Sequence, residues 1–280
     1  MILKIDGNLN LERNKTMEFI KALIKNRKLV WQLGKSDFKN RFASTSLGAI
    51  WGFLQPFVFM FTYVIVFEYI LVTKSSGNIP YAVWFLPGMA MWQTLNDSIM
   101  SASNSIRVYS YLVKKVVFPV DVIPTISIVA SSFVGLFLIL VATIVCIVFG
   151  YIPNVLMLIY IIFAMYCFII AFTRFTSAIT TVVPDFANLL GIAMQLFFWF
   201  TPIVWNLDML MPNHELLLKI VQCTPFTYLV TGLRDTFLPG NIVTADYGIY
   251  TIAFWTITII MFLWGNSVFK RTKKEFADVL

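Results

Sequence analysis

Apolar residues occur in six long runs that are separated by short polar connections. Each run has about the 20 residues that a helix needs to cross the hydrocarbon core of a bilayer, which is about 30 Å thick. The six predicted spans are 47–72, 79–99, 120–149, 155–183, 189–207 and 247–269. The second is the most polar, because Gln93, Asn96 and Asp97 interrupt it. An even number of spans places both termini on one side of the membrane.

An amphipathic segment, residues 17–33, precedes the first span. Its apolar residues fall on one helical face and its lysines on the other. This pattern predicts an interfacial helix whose basic face meets anionic headgroups. The helix either anchors the topology only or frames a lateral gate for a lipid-bearing substrate.

The connection between the fifth and sixth spans, residues 206–246, contains two apolar pieces at 216–221 and 226–237. Both pieces are too short to span a bilayer, and Pro225 separates them. We predict two short re-entrant helices, since backbone at membrane depth must be covered by protein or line a wet cavity. Two helices that lie flat on the outer surface are the alternative.

The composition supports a membrane protein, because 59% of the 280 residues are hydrophobic and only 12% are charged. Such a chain cannot cover a compact soluble body with polar side chains, which excludes a soluble enzyme, a disordered segment and a secreted scaffold. The predicted fold class is therefore an all-α integral membrane protein. The three cysteines form no C-x-x-C pair and indicate neither a metal nor a redox site.

Lysine and arginine are distributed unequally between the two predicted sides of the membrane. Ten lie in residues 1–46, three in the connection 100–119 and four after Phe269, whereas the other side has only Lys74, Lys219 and Arg234. This asymmetry predicts that both termini are cytoplasmic. It also accounts for the net charge of +7 without a nucleic-acid partner.

Residues for catalysis or nucleotide binding are missing from the sequence. His214 is the single histidine, so histidine-based metal and triad sites lack their parts. Gly34-Lys35-Ser36 resembles the end of a phosphate-binding loop, but Leu29 stands where that loop needs a glycine. We therefore predict that the chain is not an enzyme and binds no cofactor, and that any ATP is bound by another chain.

Ionisable residues inside predicted spans are functional candidates because they are costly there: Glu68, Asp97 and Arg174. They form no obvious relay. A secondary carrier would place its site near the midplane between repeated halves, and no repeat is visible. A membrane acyl- or glycosyltransferase would need a clustered set of acid and base groups, which is also missing.

Aromatic residues are abundant, at 16% of the chain, and crowd in the first and fifth spans. Aromatic rings suit the apolar faces of sugars and offer a sliding polymer a smooth wall. We predict that a polymer tunnel is lined by Trp51, Phe57, Tyr63, Phe197, Phe198, Trp199 and Trp205. Interfacial aromatic belts are the alternative explanation.

Several motifs resemble the membrane-spanning permeases of type 2 ABC exporters that move polysaccharides such as O-antigen, capsule and teichoic acid. The likeness extends along nearly the whole chain. It is carried by Asp37-Phe38-Lys39-Asn40-Arg41-Phe42, Leu47-Gly48-Ala49-Ile50-Trp51, Gln55-Pro56, Leu86-Pro87-Gly88, the segment from Leu112 to Pro119, Ile123-Pro124, the segment from Phe197 to Val204, Thr224-Pro225-Phe226 and Arg234-Asp235.

The resemblance implies the type 2 ABC exporter fold and a homodimer in the bacterial cytoplasmic (inner) membrane. Two cytoplasmic subunits would bind ATP and Mg, and the substrate would be a glycan linked to undecaprenyl diphosphate, a lipopolysaccharide or teichoic-acid precursor. The same architecture exporting a drug or small lipid is the alternative. The predicted organisation is a cytoplasmic segment (1–46), a six-span domain (47–269) and a cytoplasmic tail (270–280).

Contacts with the ATPase would come from a coupling helix at about 105–115 and from the turn at Asp185, where Pro184 replaces the arginine that the family leads us to expect. An ordinary positive-inside loop is the alternative for the first segment. The predicted coupling residues are Ser105, Arg107, Tyr109, Lys114, Lys115 and Asp185. The diphosphate headgroup would enter beside Lys21, Lys25, Lys28, Lys39 and Arg41, whose cationic groups suit phosphate.

Overall fold

The computed structural model describes residues 18–19, 21–70, 79–115, 118–207, 215–238 and 247–280, and within these ranges the chain is helical and has no strand. Residues 21–25 are helical, and a π-helical turn, Val66–Ile70, extends α2. The remaining helices are α1 (Arg27–Arg41), α2 (Ile50–Ile65), α3 (Tyr81–Val108), α4 (Ser110–Lys115), α5 (Ile123–Val148), α6 (Val155–Val182), α7 (Phe186–Phe200), α8 (Glu215–Gln222), α9 (Pro225–Asp235), α10 (Tyr247–Thr272) and α11 (Phe276–Val279). The predicted all-α class is confirmed for these residues.

Four helices of the described chain are long and apolar enough to cross a membrane: Ile50–Glu68, Val120–Val148, Val155–Val182 and Gly248–Thr272. They correspond to the predicted first, third, fourth and sixth spans. α3 has 28 residues but is more polar, and α7 is apolar but has only 15 residues. α8 and α9 meet at 78° and qualify as a span only when they are taken together. The second span, the fifth span and the re-entrant pair therefore stay predictions.

The connection between α5 and α6 shows how local sequence ends one helix and begins the next. Gly150 has a φ of +88°, which a residue with a side chain rarely adopts, and the Tyr151 amide donates to the Cys146 carbonyl at 2.9 Å. Four residues later Asn154 caps α6, and its side chain accepts from the Met157 amide at 3.2 Å. The two helices are consequently antiparallel neighbours.

α3 lies at the centre of the bundle, and every residue from Tyr81 to Trp92 is buried. α5, α6 and α9 pack against it. Small residues allow the closest crossings: a Cβ on Gly135 of α5 would collide with Thr94 of α3, and one on Gly265 of α10 would lie 2.9 Å from the Phe175 nitrogen of α6. α3, α5, α6 and α10 therefore form a tightly packed scaffold.

One end of the bundle carries α1, α4, the turn between α6 and α7, and α11; we call it the basic end. Its apolar cluster joins Val30, Tyr109, Ile126, Phe269 and Phe276 from five helices and connections. The described residues nearest the two termini meet there. The prediction that both termini share one side is consistent with this arrangement, and the compartment that this end faces stays a prediction.

Candidate functional site

Two adjoining clefts flank α2. The first cleft has a volume of about 750 Å³, lies between α1, α2, α3 and α5, and is lined by Arg41, Trp51 and Asp97 among others. The second cleft has a volume of about 440 Å³ and lies between α2, α3 and α7. Phe59 and Gln93 line both clefts. A groove therefore follows both sides of α2, with α3 as its floor.

α2 leaves this groove open because aromatic rings hold it mainly towards its two ends. Near its start, Phe53 packs on Phe38 of α1 and Phe137 of α5, with ring centroids 5.4 and 5.0 Å apart. Near its end, Tyr63 stacks on Phe85 of α3 at 5.7 Å. Such ring pairs stabilise helix contacts beyond the area that they bury. Between them much of α2 is exposed, including half of the Phe59 side chain.

The two clefts bring together four of the seven predicted tunnel aromatics. Trp51 lines the first cleft, and Tyr63, Phe198 and Trp199 line the second. The other three, Phe57, Phe197 and Trp205, lie outside both linings. Phe57 packs on Phe61 with ring centroids 4.6 Å apart, Phe197 stacks on Phe226 at 4.9 Å, and the Trp205 indole donates to the Trp199 carbonyl at 2.9 Å. Whether any of the seven contacts a glycan stays a prediction.

Arg41, a predicted headgroup residue, already has several partners inside the first cleft. Its Nη2 donates to the Asp37 carboxylate at 3.0 Å, and its Nη1 donates to the hydroxyls of Ser101 at 3.2 Å and Ser131 at 3.1 Å. The Asp97 carboxylate lies 3.8 Å from Nη1. Few of its five N–H donors are left for a ligand. Arg41 therefore acts first as a link between α1, α3 and α5.

The other predicted headgroup residues are accessible. The side chains of Lys21, Lys25, Lys28 and Lys39 are exposed on residues 21–25 and α1. α1 itself packs on α5 through its buried Val30 and Gly34. These lysines are thus accessible to an anionic partner, whereas Arg41 is already bonded within the protein.

The predicted coupling segment 105–115 is divided between two helices. Ser105 is buried near the end of α3, which extends to Val108. Its hydroxyl donates to the Ala102 carbonyl at 2.7 Å. Tyr109 separates α3 from α4 and is buried. Burial and the neighbouring Asp37 carboxylate raise the pKa of the Tyr109 phenol, so it stays protonated.

The exposed coupling candidates lie at the basic end. Arg107 and Lys114 are exposed, and Asp185 is exposed in the turn that joins α6 to α7. Lys115 ends α4, but its side chain lies outside the described part of the structure. α4 also contacts α11. Charged groups of both signs are therefore presented on one surface of the molecule.

Arg234 of α9 is a central residue to which sequence reasoning gave no role. Only 3% of it is exposed, and its Nε donates to the Trp84 carbonyl at 2.9 Å. Its Nη atoms donate to the carbonyls of Pro202 and Ile203, the latter at 2.6 Å. The sequence signal was a charged pair, Arg234-Asp235, within an apolar helical piece, which marks a functional or structural position. Arg234 ties α9 to α3 and to the segment after α7.

Arg174 of α6 is the second buried arginine, with 1% exposure. It donates to the Asp121 backbone carbonyl at 3.1 Å, to the Asp121 carboxylate at 3.4 Å and to the Asn266 amide oxygen at 2.7 Å. The rings of Phe19 and Phe269 lie over its guanidinium, 4.2 and 3.9 Å from Cζ. The sequence predicts Arg174 as a functional candidate because a charge is costly within a span, but it does not identify these partners.

Lys273 extends this cluster by pairing with the Asp121 carboxylate, and Lys270 pairs with Glu18. The Lys270 ammonium lowers the pKa of Glu18 through a hydrogen bond and its charge. The network joins the N-terminal helical residues to the start of α5 and to the end of α10. In the described ranges, no three His, Cys, Asp or Glu side chains are placed to hold a metal ion. His214 lies outside those ranges.

The sequence of this chain matches a known family of membrane transporters. Residues 28–238 match the family described as ABC-2 type transporter. The chain belongs to this family. It is accordingly a multi-pass membrane protein that works with an ATP-binding subunit.

Three curated relatives match most of this chain and most of their own lengths. An O-antigen export system permease protein RfbA of Klebsiella pneumoniae is 27% identical over 247 residues, which is 87% of this chain and 92% of the relative. A protein of the same name from Myxococcus xanthus is 23% identical over 265 residues, or 94% and 99% of the two chains. A second Klebsiella pneumoniae protein of that name is 24% identical over 247 residues.

Proposed function

We propose that this chain is the permease subunit of an ATP-driven exporter that moves a polysaccharide linked to undecaprenyl diphosphate across the cytoplasmic membrane. The observation that carries the proposal is that three permeases named for O-antigen export match the chain over most of both lengths. The groove beside α2 supports it, because the groove combines aromatic rings with polar side chains, as sugar recognition requires.

The proposed topology has six spans, with α3 as the second and α7 as the fifth, and both termini in the cytoplasm. The length of α3 suits a span, since 28 residues of α-helix extend about 42 Å. α9 is buried from Phe226 to Arg234 among the spans, which favours re-entry over a helix lying flat on the surface. The excess of lysine and arginine at the basic end supports its cytoplasmic location.

The proposed assembly is a homodimer with two ATP-binding subunits. One face of α7 supports a dimer contact, because Leu189, Ile192, Leu196 and Trp199 are each more than half exposed at helical spacing. The second cleft opens beside this face, so two copies would enclose a shared tunnel. At the basic end, α4 and the turn at Asp185 would receive the force of ATPase closure.

The lipid diphosphate would approach from the inner leaflet beside the exposed lysines Lys21, Lys25, Lys28 and Lys39. Lysine is a compact charge on a long stem and can reach a headgroup from the membrane surface. Because Arg41 is already bonded to Asp37 and two serines, we give it a structural role in this proposal.

The test is to purify the chain with its ATP-binding partner, reconstitute the complex in lipid vesicles, and measure ATP hydrolysis and export. We expect hydrolysis to rise with undecaprenyl-diphosphate-linked glycan, and neither hydrolysis nor export without the partner. The alternative, export of a drug or small lipid by the same fold, predicts stimulation by such a compound and none by the glycan. Export by the chain alone without ATP would overturn the proposal.

A further inference from the structure

α3 presents a single accessible face to both clefts. Between residues 91 and 106, the side chains that are not fully buried belong to Gln93, Asn96, Asp97, Met100, Ser101 and Asn104. Their spacing of three or four residues places them on one side of the helix. Gln93, Asn96, Asp97 and Asn104 have polar side chains, although the helix lies among membrane-spanning helices. We call Gln93, Asn96 and Asp97 the polar stripe.

Two members of the polar stripe are free to bind a ligand. Other polar side chains of α3 form hydrogen bonds to backbone carbonyls of their own helix. Thr94 donates to the Ala90 carbonyl at 2.7 Å and Asn104 to the Met100 carbonyl at 3.1 Å. In the described chain, the amides of Gln93 and Asn96 have no such partner. Each amide offers two donors and an acceptor.

Both free amides lie in cleft walls. Gln93 lines both clefts and Asn96 lines the second. A polar side chain at membrane depth that has no protein partner is costly unless it faces water or a polar ligand. The groove is therefore suited to a hydrated or hydroxylated occupant rather than to lipid tails.

The charges around the stripe disfavour an anion. Arg41 is the one lysine or arginine in the described walls of the two clefts, and Asp37 and Asp97 lie 3.0 and 3.8 Å from it. Two carboxylates against one guanidinium leave the first cleft without excess positive charge, and the described lining of the second cleft has no charged side chain, so neither cleft attracts a phosphate. Hydroxyl groups would be accepted, because they donate to carboxylates and exchange hydrogen bonds with amides.

Aromatic rings line the same groove as the stripe. Trp51 and Phe59 line the first cleft, and Phe59 and Trp199 line the second. A sugar ring has an apolar face and a rim of hydroxyls, so it matches a wall that combines rings with amides.

We propose that the polar stripe of α3 binds the hydroxyl groups of the transported glycan, while the lipid diphosphate stays outside both clefts. This inference rests on the proposed function and assigns the sugar contacts to the second span, in addition to the aromatics of α2 and α7. Recognition through amides and one carboxylate selects neutral, polyhydroxylated units.

The first experiment changes the free amides to an apolar residue of similar size. Gln93→Leu and Asn96→Leu are made singly and together, and the complex with its ATP-binding partner is reconstituted in nanodiscs. Hydrolysis is compared with undecaprenyl diphosphate alone and with the same lipid carrying its oligosaccharide. We expect the double variant to lose about tenfold in apparent affinity for the glycan-bearing lipid, as two lost hydrogen bonds imply.

Two matched variants separate loss of sugar contact from loss of fold. Asn96→Gln keeps the amide and should retain most of the response. Thr143→Val removes a polar group from α5 that lines neither cleft and, among the described residues, bonds only to the Ile139 carbonyl of its own helix, so it should behave as wild type. A double variant that elutes as a folded complex and responds to the glycan like wild type would overturn the inference, as would an equal loss with the bare lipid.

A labelling experiment gives a second readout. The three native cysteines are replaced by alanine, and Asn96→Cys or, as a control in an exposed turn, Ser44→Cys is introduced. We expect the glycan-bearing lipid to slow maleimide labelling at position 96 and not at 44, and the bare lipid to slow neither. Protection by the bare lipid would contradict the inference. A wild-type complex that ignores the glycan altogether would instead overturn the proposed function.

Discussion

The guanidinium of Arg234 lies over the indole of Trp84, with its Cζ 3.8 Å from the ring centroid, while its Nε bonds to the Trp84 backbone carbonyl. The same side chain donates to the carbonyls of Pro202 and Ile203, which follow α7 in a segment without helical structure. Carbonyls in such a segment need partners wherever water is scarce. Arg234 therefore provides hydrogen bonds to the carbonyls of Pro202 and Ile203 in this non-helical segment.

Arg234→Lys should destabilise the protein although it keeps the charge. Lysine lacks the planar fork that reaches three carbonyls at once, so at least one charged hydrogen bond is lost in a buried site. We expect a loss of roughly 2–4 kcal/mol, seen as a lower midpoint of thermal unfolding in detergent. Lys219→Met, at an exposed residue of α8, is the control and should not change the midpoint. An unchanged midpoint for Arg234→Lys would show that the guanidinium hydrogen bonds of Arg234 do not stabilise the fold.

Gly88→Ala should destabilise the same contact from the side of α3. A Cβ at Gly88 would lie 2.5 Å from Nη2 of Arg234, so the guanidinium must move. We expect a loss of about 1–3 kcal/mol, as for other overpacked sites. With Arg234→Lys in the background the loss should shrink, because lysine has no Nη2 to collide. Gly248→Ala is the control, because its added Cβ would meet no atom of another described segment within 4 Å, and it should cost nothing.

Much of the helical architecture was predictable because apolar run length is a direct consequence of bilayer thickness. The four spans of the described chain lie within a few residues of their predicted bounds. The length of α3 was not predicted. Three of its four buried positions beyond Ile99 are the small residues Ala102, Ser103 and Ser105, which pack between helices without raising apolarity.

The site was less predictable because it depends on contacts between residues far apart in the chain. The basic character of residues 21–41 is visible in the sequence, but nothing in it indicates that Arg41 bonds to Ser101 and Ser131, 60 and 90 residues away. Likewise Trp51 and Phe57 are equivalent as aromatic residues of one helix, and only packing decides that Trp51 lines a cleft while Phe57 does not. The spacing of residues along the sequence does not determine which of two aromatic side chains lines a cleft.

Asp121→Asn should destabilise the network at the basic end. Arg174 stays charged and buried between two phenylalanine rings, and it loses its carboxylate partner together with Lys273. Leaving a buried charge without its partner costs about 3–5 kcal/mol. The measurement is again the midpoint of thermal unfolding, with Asp185→Asn at an exposed turn as the control.

A second substitution tests whether charge is the cause of that loss. Asn266 already lies 2.7 Å from Arg174, so Asn266→Asp returns a carboxylate to the guanidinium. We expect the double variant Asp121→Asn with Asn266→Asp to regain part of the lost stability. If the stability losses of the two substitutions simply add, the shape of the side chains rather than their charge holds the cluster together.

Lys114→Glu and Asp185→Lys should weaken association with the ATP-binding subunit. Both side chains are exposed at the basic end, on the two segments proposed to contact that subunit. Reversing a charge at the rim of an interface changes complementarity more than fold. We expect less ATPase subunit to co-purify, and the loss to diminish at high salt. Lys219→Glu at the opposite end should leave co-purification unchanged, and an equal effect there would contradict the assignment.

Replacing Lys21, Lys25 and Lys28 by glutamine should reduce the apparent affinity for undecaprenyl diphosphate. A lysine near an anionic surface contributes about 1 kcal/mol, so three together imply a loss of up to about 100-fold at low salt, which screening should diminish. The apparent affinity is measured from the ATP hydrolysis that undecaprenyl diphosphate stimulates, and the same measurement is made with neutral undecaprenol. Lys35→Gln, at another exposed lysine of α1, is the matched control. Because a mere topology anchor carries no preference for phosphate, an equal loss with both lipids would assign these lysines to membrane anchoring instead.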